Sequence, residues 1–237
     1  VEIMDAFTAP EIREVVFQKP SQVAGSEILA NVVGYYIDVE PTEIAYVAEK
    51  EDKAKAWTVE SFDPMVVKTA SLARVVGTTA EDNNQKYKRF SGGQLFILWA
   101  TSPAELSSRP IQVLLFDEKA AFKPTPEGDA VKLGEARTKT YDGFEKIGKI
   151  SSPRMADDDS DIEADFLRGD KRQYWVPCPS CDEFQLLAWK NCHWDDDPDL
   201  AYMVCMECGV ELEYDDLQEM LERGRWVKDA ELEKPFW

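Results

Sequence analysis

The hydrophobic pattern is densest at 111–118, where Ile111-Gln112-Val113-Leu114-Leu115-Phe116 closes on two carboxylates, Asp117 and Glu118. A short apolar run rich in branched residues, entered through Ser107, Ser108 and Pro110, predicts a strand buried on both faces, as in a parallel sheet covered by helices. Upstream, 13–18 (REVVFQ) is a β-rich run. A small-residue turn follows it, and then 27–38 carries apolar residues at Ile28, Leu29, Val32, Val33 and Tyr36, the spacing of a buried helix face. The segment 44–48 predicts a second short strand and 50–67 a helix broken near Pro64. A hairpin is expected from 87–90 and 94–99 around Gly92-Gly93, and 101–110 is a polar loop. A helix at 128–140 and a strand at 146–150 complete the first part, after a short opening helix within 1–10. Short strands alternating with helices predict an α/β domain with a mostly parallel sheet.

The polar residues that interrupt this pattern carry the chemistry. Asp117 and Glu118 would sit at the carboxyl edge of the sheet, where ligands bind in such folds. There an Asp can hold Mg²⁺ while the next Glu orients a water; the competing reading is a strand that exits into solvent. The segment Lys19-Pro20-Ser21-Gln22-Val23-Ala24-Gly25-Ser26 lies between strand and helix, the layout of a phosphate-binding loop. Against the pattern GxxxxGK[ST] it keeps only Ser26, and an ordinary strand-to-helix turn is the alternative. Lys19 can supply a cation from the front of the loop and Ser26 a hydroxyl for Mg²⁺.

All five cysteines lie in the last third. Four form two CxxC pairs, Cys178/Cys181 and Cys205/Cys208, separated by strand-like runs at 185–189 and 201–204, with a further run at 173–176. That is the spacing of a zinc ribbon whose four thiolates leave no open position, so the predicted Zn²⁺ is structural. Cys192 and His193 fall in the loop between the pairs. His193 is the only histidine, which excludes a catalytic triad or a His-rich metal centre.

Composition narrows the partners. The net charge of −19 is uneven: residues 1–154 hold 23 acids and 19 bases (−4), residues 155–237 hold 23 acids and 8 bases (−15). The last part is a poor general binder of phosphate backbones. The acidic runs at 157–159 and 195–197 are expected to be solvated loops rather than metal sites. With no apolar run near the roughly 18 residues a membrane span needs, and no signal peptide, the expectation is a soluble intracellular protein without a membrane role.

Several ordered segments carry a resemblance to a family. They are Glu2-Ile-Met-Asp-Ala, Arg13 to Val23, Gly34-Tyr-Tyr-Ile-Asp38, Asp63-Pro-Met65, Ser102 to Pro110, Leu114 to Glu118, Tyr174 to Cys181, Tyr202 to Gly209 and Leu221 to Trp226. Together they resemble the large terminase subunits of lambda-like tailed phages, over nearly the whole chain. The resemblance implies a P-loop NTPase-like domain at 1–154, with helices on both faces of its sheet. An acidic linker or helix at 155–172, with 155–160 the clearest linker, and a zinc-ribbon module with a terminal helix at 173–237 would follow.

It further implies an ATP-driven motor that moves double-stranded DNA into a capsid, with Mg²⁺·ATP bound by Lys19, Ser21, Gln22, Val23, Ala24, Gly25, Ser26 and Glu27. Asp117 and Ser26 would hold the Mg²⁺, and Glu118 would activate the attacking water. Arg109 is a candidate arginine finger toward its own or a neighbouring subunit's γ-phosphate; a structural salt bridge is the other reading. Ser151-Ser152-Pro153 stands where the family couples hydrolysis to movement, and a plain turn would explain it too. The implied partners are a portal protein, a small terminase subunit and further copies in a ring, in the host cytoplasm. The family's nuclease would lie beyond residue 237.

Two departures from that pattern stand at the nucleotide. Ala24 and Gly25 replace the Gly and Lys of many relatives, and Glu49-Lys50 replaces a Pro-Thr pair near the adenine. They make a catalytically degenerate scaffold or assembly module the alternative to a motor.

Overall fold

The structure, a computed structural model, describes residues 2–20, 23–107, 109–153, 162–194 and 196–231. It divides into two compact units, Val1–Phe166 and Leu167–Trp237.

The first unit is built on a six-stranded sheet. Its elements in chain order are α1 (Glu2–Thr8), β1 (Glu14–Gln18), α2 (Gly25–Asp38), β2 (Glu43–Ala48), α3 (Glu51–Trp57), α4 (Asp63–Lys68), α5 (Ala70–Val75), β3 (Tyr87–Phe90), β4 (Gly93–Trp99), β5 (Val113–Asp117), α6 (Ala130–Thr138), β6 (Lys146–Ser151) and α7 (Ile162–Leu167). The strand order is β1-β6-β5-β2-β4-β3, parallel except for β3, which pairs antiparallel with β4 at the edge.

Alternation along the strands serves two cores. Val113 and Leu115 of β5, with Ile44 and Tyr46 of β2, face Phe7 of α1 and Leu29, Val33 and Tyr36 of α2. Leu114 and Phe116, with Ala45 and Val47, face Leu106, Phe122 and Ala130 on the other side. Every residue of β5 is buried, which is why its sequence runs apolar without a polar alternation. Each of Val113, Leu114, Leu115 and Phe116 contributes about 1.5–3 kcal/mol on burial.

The expected 50–67 helix forms in three pieces. Between α3 and α4 the Asp63 N–H reaches back to the Thr58 carbonyl, a widened turn that places Pro64, which has no N–H to donate, at the start of α4. Helix α5 had no counterpart in the expectations. Helix α6 is shorter than 128–140 because Asp129 caps it, accepting from the Val131 N–H at 2.9 Å.

In the second unit β7 (Gln173–Pro177) pairs with β8 (Phe184–Gln185) and β12 (Arg225–Val227). β10 (Tyr202–Val204) lies between β9 (Cys192–His193) and β11 (Glu211–Leu212), and α8 (Tyr214–Arg223) precedes β12. Two expectations are corrected. The run 185–189 is strand only at Phe184–Gln185, since Trp189–Asn191 forms a single tight helical turn, and Cys192-His193 is paired strand rather than loop. The linker 155–160 with its acids 157–159 lies outside the described residues, as does Asp195. Asp196 and Asp197 are exposed.

Candidate nucleotide site and cysteine centre

Strand order alone places the candidate site. β6 lies between β1 and β5, so the chain leaving β1 and the acids closing β5 emerge at one carboxyl edge with Ser151 between them. Gln18 pairs with Ser151, and Asp117 with Ile150.

Two contacts join the loop to the acids. The Ser26 hydroxyl donates to Asp117 Oδ2 at 2.9 Å, and Lys19 Nζ lies 2.8 Å from Glu118 Oε1. The Lys19 ammonium also reaches Ser152 Oγ at 3.4 Å. Lys19 is only 6% exposed. Its side chain runs across the first residue of α2, where a Cβ on Gly25 would stand 2.4 Å from Lys19 Cε and 2.8 Å from Cδ. Gly25 is therefore clearance for Lys19. Ala24, just before the helix, holds a left-handed φ of 56°. Val23 is exposed, Glu27 accepts from the Ser61 hydroxyl at 2.9 Å, and Ser21 and Gln22 lie outside the described residues.

Asp117 is buried and heavily engaged. Tyr46 donates to its Oδ2 at 2.6 Å alongside Ser26, while its Oδ1 is buried without a hydrogen-bond partner among the described residues. Burial pushes its carboxyl above the usual carboxylate range, and the donors Tyr46 and Ser26 only partly oppose this. Tyr46 is held in place by Trp57, which stacks on it at 3.8 Å between centroids and 10° between planes. Sequence gave no pointer to Tyr46 or Trp57. Their role depends on β2 lying next to β5, a long-range pairing.

Glu118 takes a left-handed φ of 53° and is half exposed, its carboxylate bent back over the end of β6. Its Oε2 accepts from Ser151 Oγ and from the Ser152 N–H, both at 3.3 Å, and Ser151 Oγ in turn accepts from the Ala120 N–H at 3.1 Å. Ser151 and Ser152 thus touch the acid directly.

Arg109 is not brought to this group. It precedes β5 at the amino edge, where Gln112 bonds the carbonyl of Glu43, the first residue of β2. Five strand residues at about 3.3 Å each put about 16 Å between the two edges. The Arg109 guanidinium instead lies 4.7 Å over the Phe96 ring, beside a cavity of about 270 Å³ that Lys86 and Glu105 also line. The strand between them thus sets Arg109 at the edge opposite Asp117 and Glu118, on the side of Glu43.

In the second unit the four cysteine Sγ atoms lie within 4.8 Å of one another, with 3.9 Å between Cys178 and Cys208 and between Cys181 and Cys205. Four ligands at about 2.3 Å around a tetrahedral Zn²⁺ stand about 3.8 Å apart. The two knuckles repeat one hydrogen-bond scheme: Asp182 N–H to Cys178 O at 2.9 Å, and Gly209 N–H to Cys205 O at 3.1 Å. Asp182 (φ 59°) and Gly209 (φ 73°) take the same left-handed turn after the second cysteine. Burial works to raise the Cys205 thiol, but N–H groups of Cys208 and Glu207, together with the thiols of Cys178 and Cys208, outweigh it and bring it to about 6. At Cys181 the Glu183 N–H pulls down, yet desolvation and its thiol neighbours carry it up to about 12. Thiolates this close cannot all be charged unless a cation sits among them, so the donor set suits a bound metal. Cys192 and His193 are outside the cluster.

A parallel sheet with the loop-helix junction facing a strand-end Asp-Glu pair defines the class, a P-loop NTPase-like domain. The chain belongs to the family described as phage terminase large subunit gpA, ATPase domain, whose model matches residues 1–226. It is 23% identical over 244 residues to the large subunit of the terminase of Enterobacteria phage P21, covering 96% of this chain and 37% of that protein. Among solved structures it is similar in fold to the HK97 bacteriophage large terminase (TM-score 0.54, 14% identity, 71% of this chain and 36% of that one). It is also similar to the Thermus phage P74-26 large terminase ATPase domain (TM-score 0.50, 16% identity, 78% of this chain and 76% of that one). The chain spans little more than a third of the length of the curated relative it matches.

Proposed function

We propose that this chain is the ATPase motor part of a DNA-packaging terminase, hydrolysing Mg²⁺·ATP to drive double-stranded DNA into a capsid. One observation carries the reading: loop and acids meet in pairs, Ser26 with Asp117 and Lys19 with Glu118. It also weighs against a degenerate scaffold, because the cation lost at Gly25 is restored by Lys19.

The residues fit a bound Mg²⁺, since Asp117 offers a buried oxygen with no described partner beside the Ser26 hydroxyl. The ion would neutralise developing charge on the phosphates. N–H groups at the start of α2 would cradle the triphosphate. Lys19 has two claims on it. A triphosphate bears more charge than one carboxylate, so phosphate entry draws the ammonium off Glu118 and frees that carboxylate to orient water in line with the γ-phosphorus. Ser151 and Ser152, which hold the other oxygen of Glu118, would report this change to the segment that follows β6.

Arg109, at the far edge, would act on a neighbouring subunit's nucleotide in a homo-oligomeric ring. The four cysteines would bind one structural Zn²⁺, and a portal protein and small terminase subunit would be the partners, in the host cytoplasm. Among the described residues no helix is long and apolar enough to cross a membrane. The test is phosphate release with Glu118→Gln as control. Magnesium-dependent turnover that disappears in the variant while nucleotide binding persists is expected; no turnover and no nucleotide binding by the wild-type chain would overturn the reading.

A further inference from the structure

One buried ion-pair cluster lies beside the site without belonging to it. Lys149, mid-strand in β6 and 2% exposed, stands 2.7 Å from Glu14 of β1, 2.7 Å from Glu135 of α6 and 3.8 Å from Asp165 of α7. Asp165, itself 6% exposed, pairs at 2.9 Å with Lys119, the residue directly after Glu118. The contacts close a loop. Asp165 touches Lys119; Lys119 continues from Glu118; Glu118 accepts from Ser151; and Ser151 is two residues beyond Lys149, which faces Asp165 again.

We propose that Asp165 is a positioning residue for Glu118, clamping from α7 the turn that aims the catalytic carboxylate. Two physical facts favour this over a stabilising ion pair alone. Charges buried this deeply cost several kcal/mol each in desolvation, so a purely structural role is served as well by apolar packing. Glu118, which opens the turn, also sits in a left-handed conformation, φ 53°, that a non-glycine residue keeps only when its surroundings fix it. The Ala120 N–H to Ser151 bond holds that turn from the β6 side, and the Lys119–Asp165 pair holds it from α7.

The inference rests on Glu118 directing water.

The test uses the whole chain with Asp165→Asn, Lys119→Met and the double variant, measuring ATP turnover, binding of a fluorescent ATP analogue and amide exchange. Each single variant is expected to lose tenfold or more in kcat with KM within twofold, and the double to be no slower than the slower single, as coupled residues behave. Exchange at 118–121 should quicken while 113–116 stays protected. Lys119→Met carries the test if Asp165→Asn does not fold, because it leaves Asp165 facing Lys149.

A folded variant with wild-type kcat, a rise in KM without a fall in kcat, or unchanged exchange at 118–121 would each overturn the proposal. A wild-type chain without turnover would sink the ATPase reading instead, and the exchange result would then judge the clamp alone.

Discussion

Gly25→Ala isolates what the loop's altered sequence does. The added methyl would lie 2.4 Å from Lys19 Cε, 2.8 Å from Cδ and 3.0 Å from Ile150 Cγ2, where carbon atoms pack at about 3.5–4.0 Å. The lysine end is flexible and β6 is not, so Lys19 gives way and its ammonium leaves the loop. Stability should hardly suffer, since alanine is up to about 1 kcal/mol better than glycine within a helix. Activity should fall sharply. Losing one preorganised, charge-stabilising group typically costs about 2.7–4 kcal/mol, or about 10²–10³ in kcat. The assay is steady-state phosphate release beside thermal melting, with Lys19→Met and the double variant alongside. Expected are a turnover lower by about a hundredfold, an unchanged or raised Tm, and a double variant no worse than Lys19→Met. Wild-type turnover in Gly25→Ala would show that the Lys19 charge is not used where the structure places it.

Asp117→Asn should abolish Mg²⁺-dependent turnover yet raise stability at neutral pH. Its folded carboxyl titrates above the ordinary range because of burial, so the ionised form costs stability above that raised pKa and the cost is relieved as pH falls through it. Urea midpoints should therefore favour the variant at pH 7.5 and converge with wild type in mild acid; a variant less stable at both would contradict this. Elemental analysis should find about one zinc per chain. Stripping it with a chelator should collapse the tryptophan signals of the second unit while the helical signal of the first persists, and a zinc-free chain with both signals intact would refute a structural metal.

Much of the site was readable because its chemistry is local. An apolar run ending in Asp117-Glu118 has no packing reason to do so, and paired CxxC knuckles announce their geometry through spacing alone. Other features depend on which strands meet. Read by pattern, Gly25 is a missing lysine, while in space it is the gap that admits one from six residues earlier. Tyr46 and Trp57 sit in ordinary strand and helix sequence and reach Asp117 and Ser26 only because β2 neighbours β5. Arg109, eight residues before Asp117, is carried to the opposite edge by the strand between them. The 185–189 run reads as strand from its apolar residues, yet Leu187 and Trp189 are exposed, so no sheet face was there to order them.

The indole of Trp57, flat against Tyr46 and with its N–H 3.4 Å from the Ser26 carbonyl, is an emitter that touches the backbone of Ser26 directly and the buried acid through Tyr46. Leaving it as the sole tryptophan, by replacing Trp99, Trp175, Trp189, Trp194, Trp226 and Trp237, would turn fluorescence into an unlabelled gauge of what happens between Ser26 and Asp117 during each cycle.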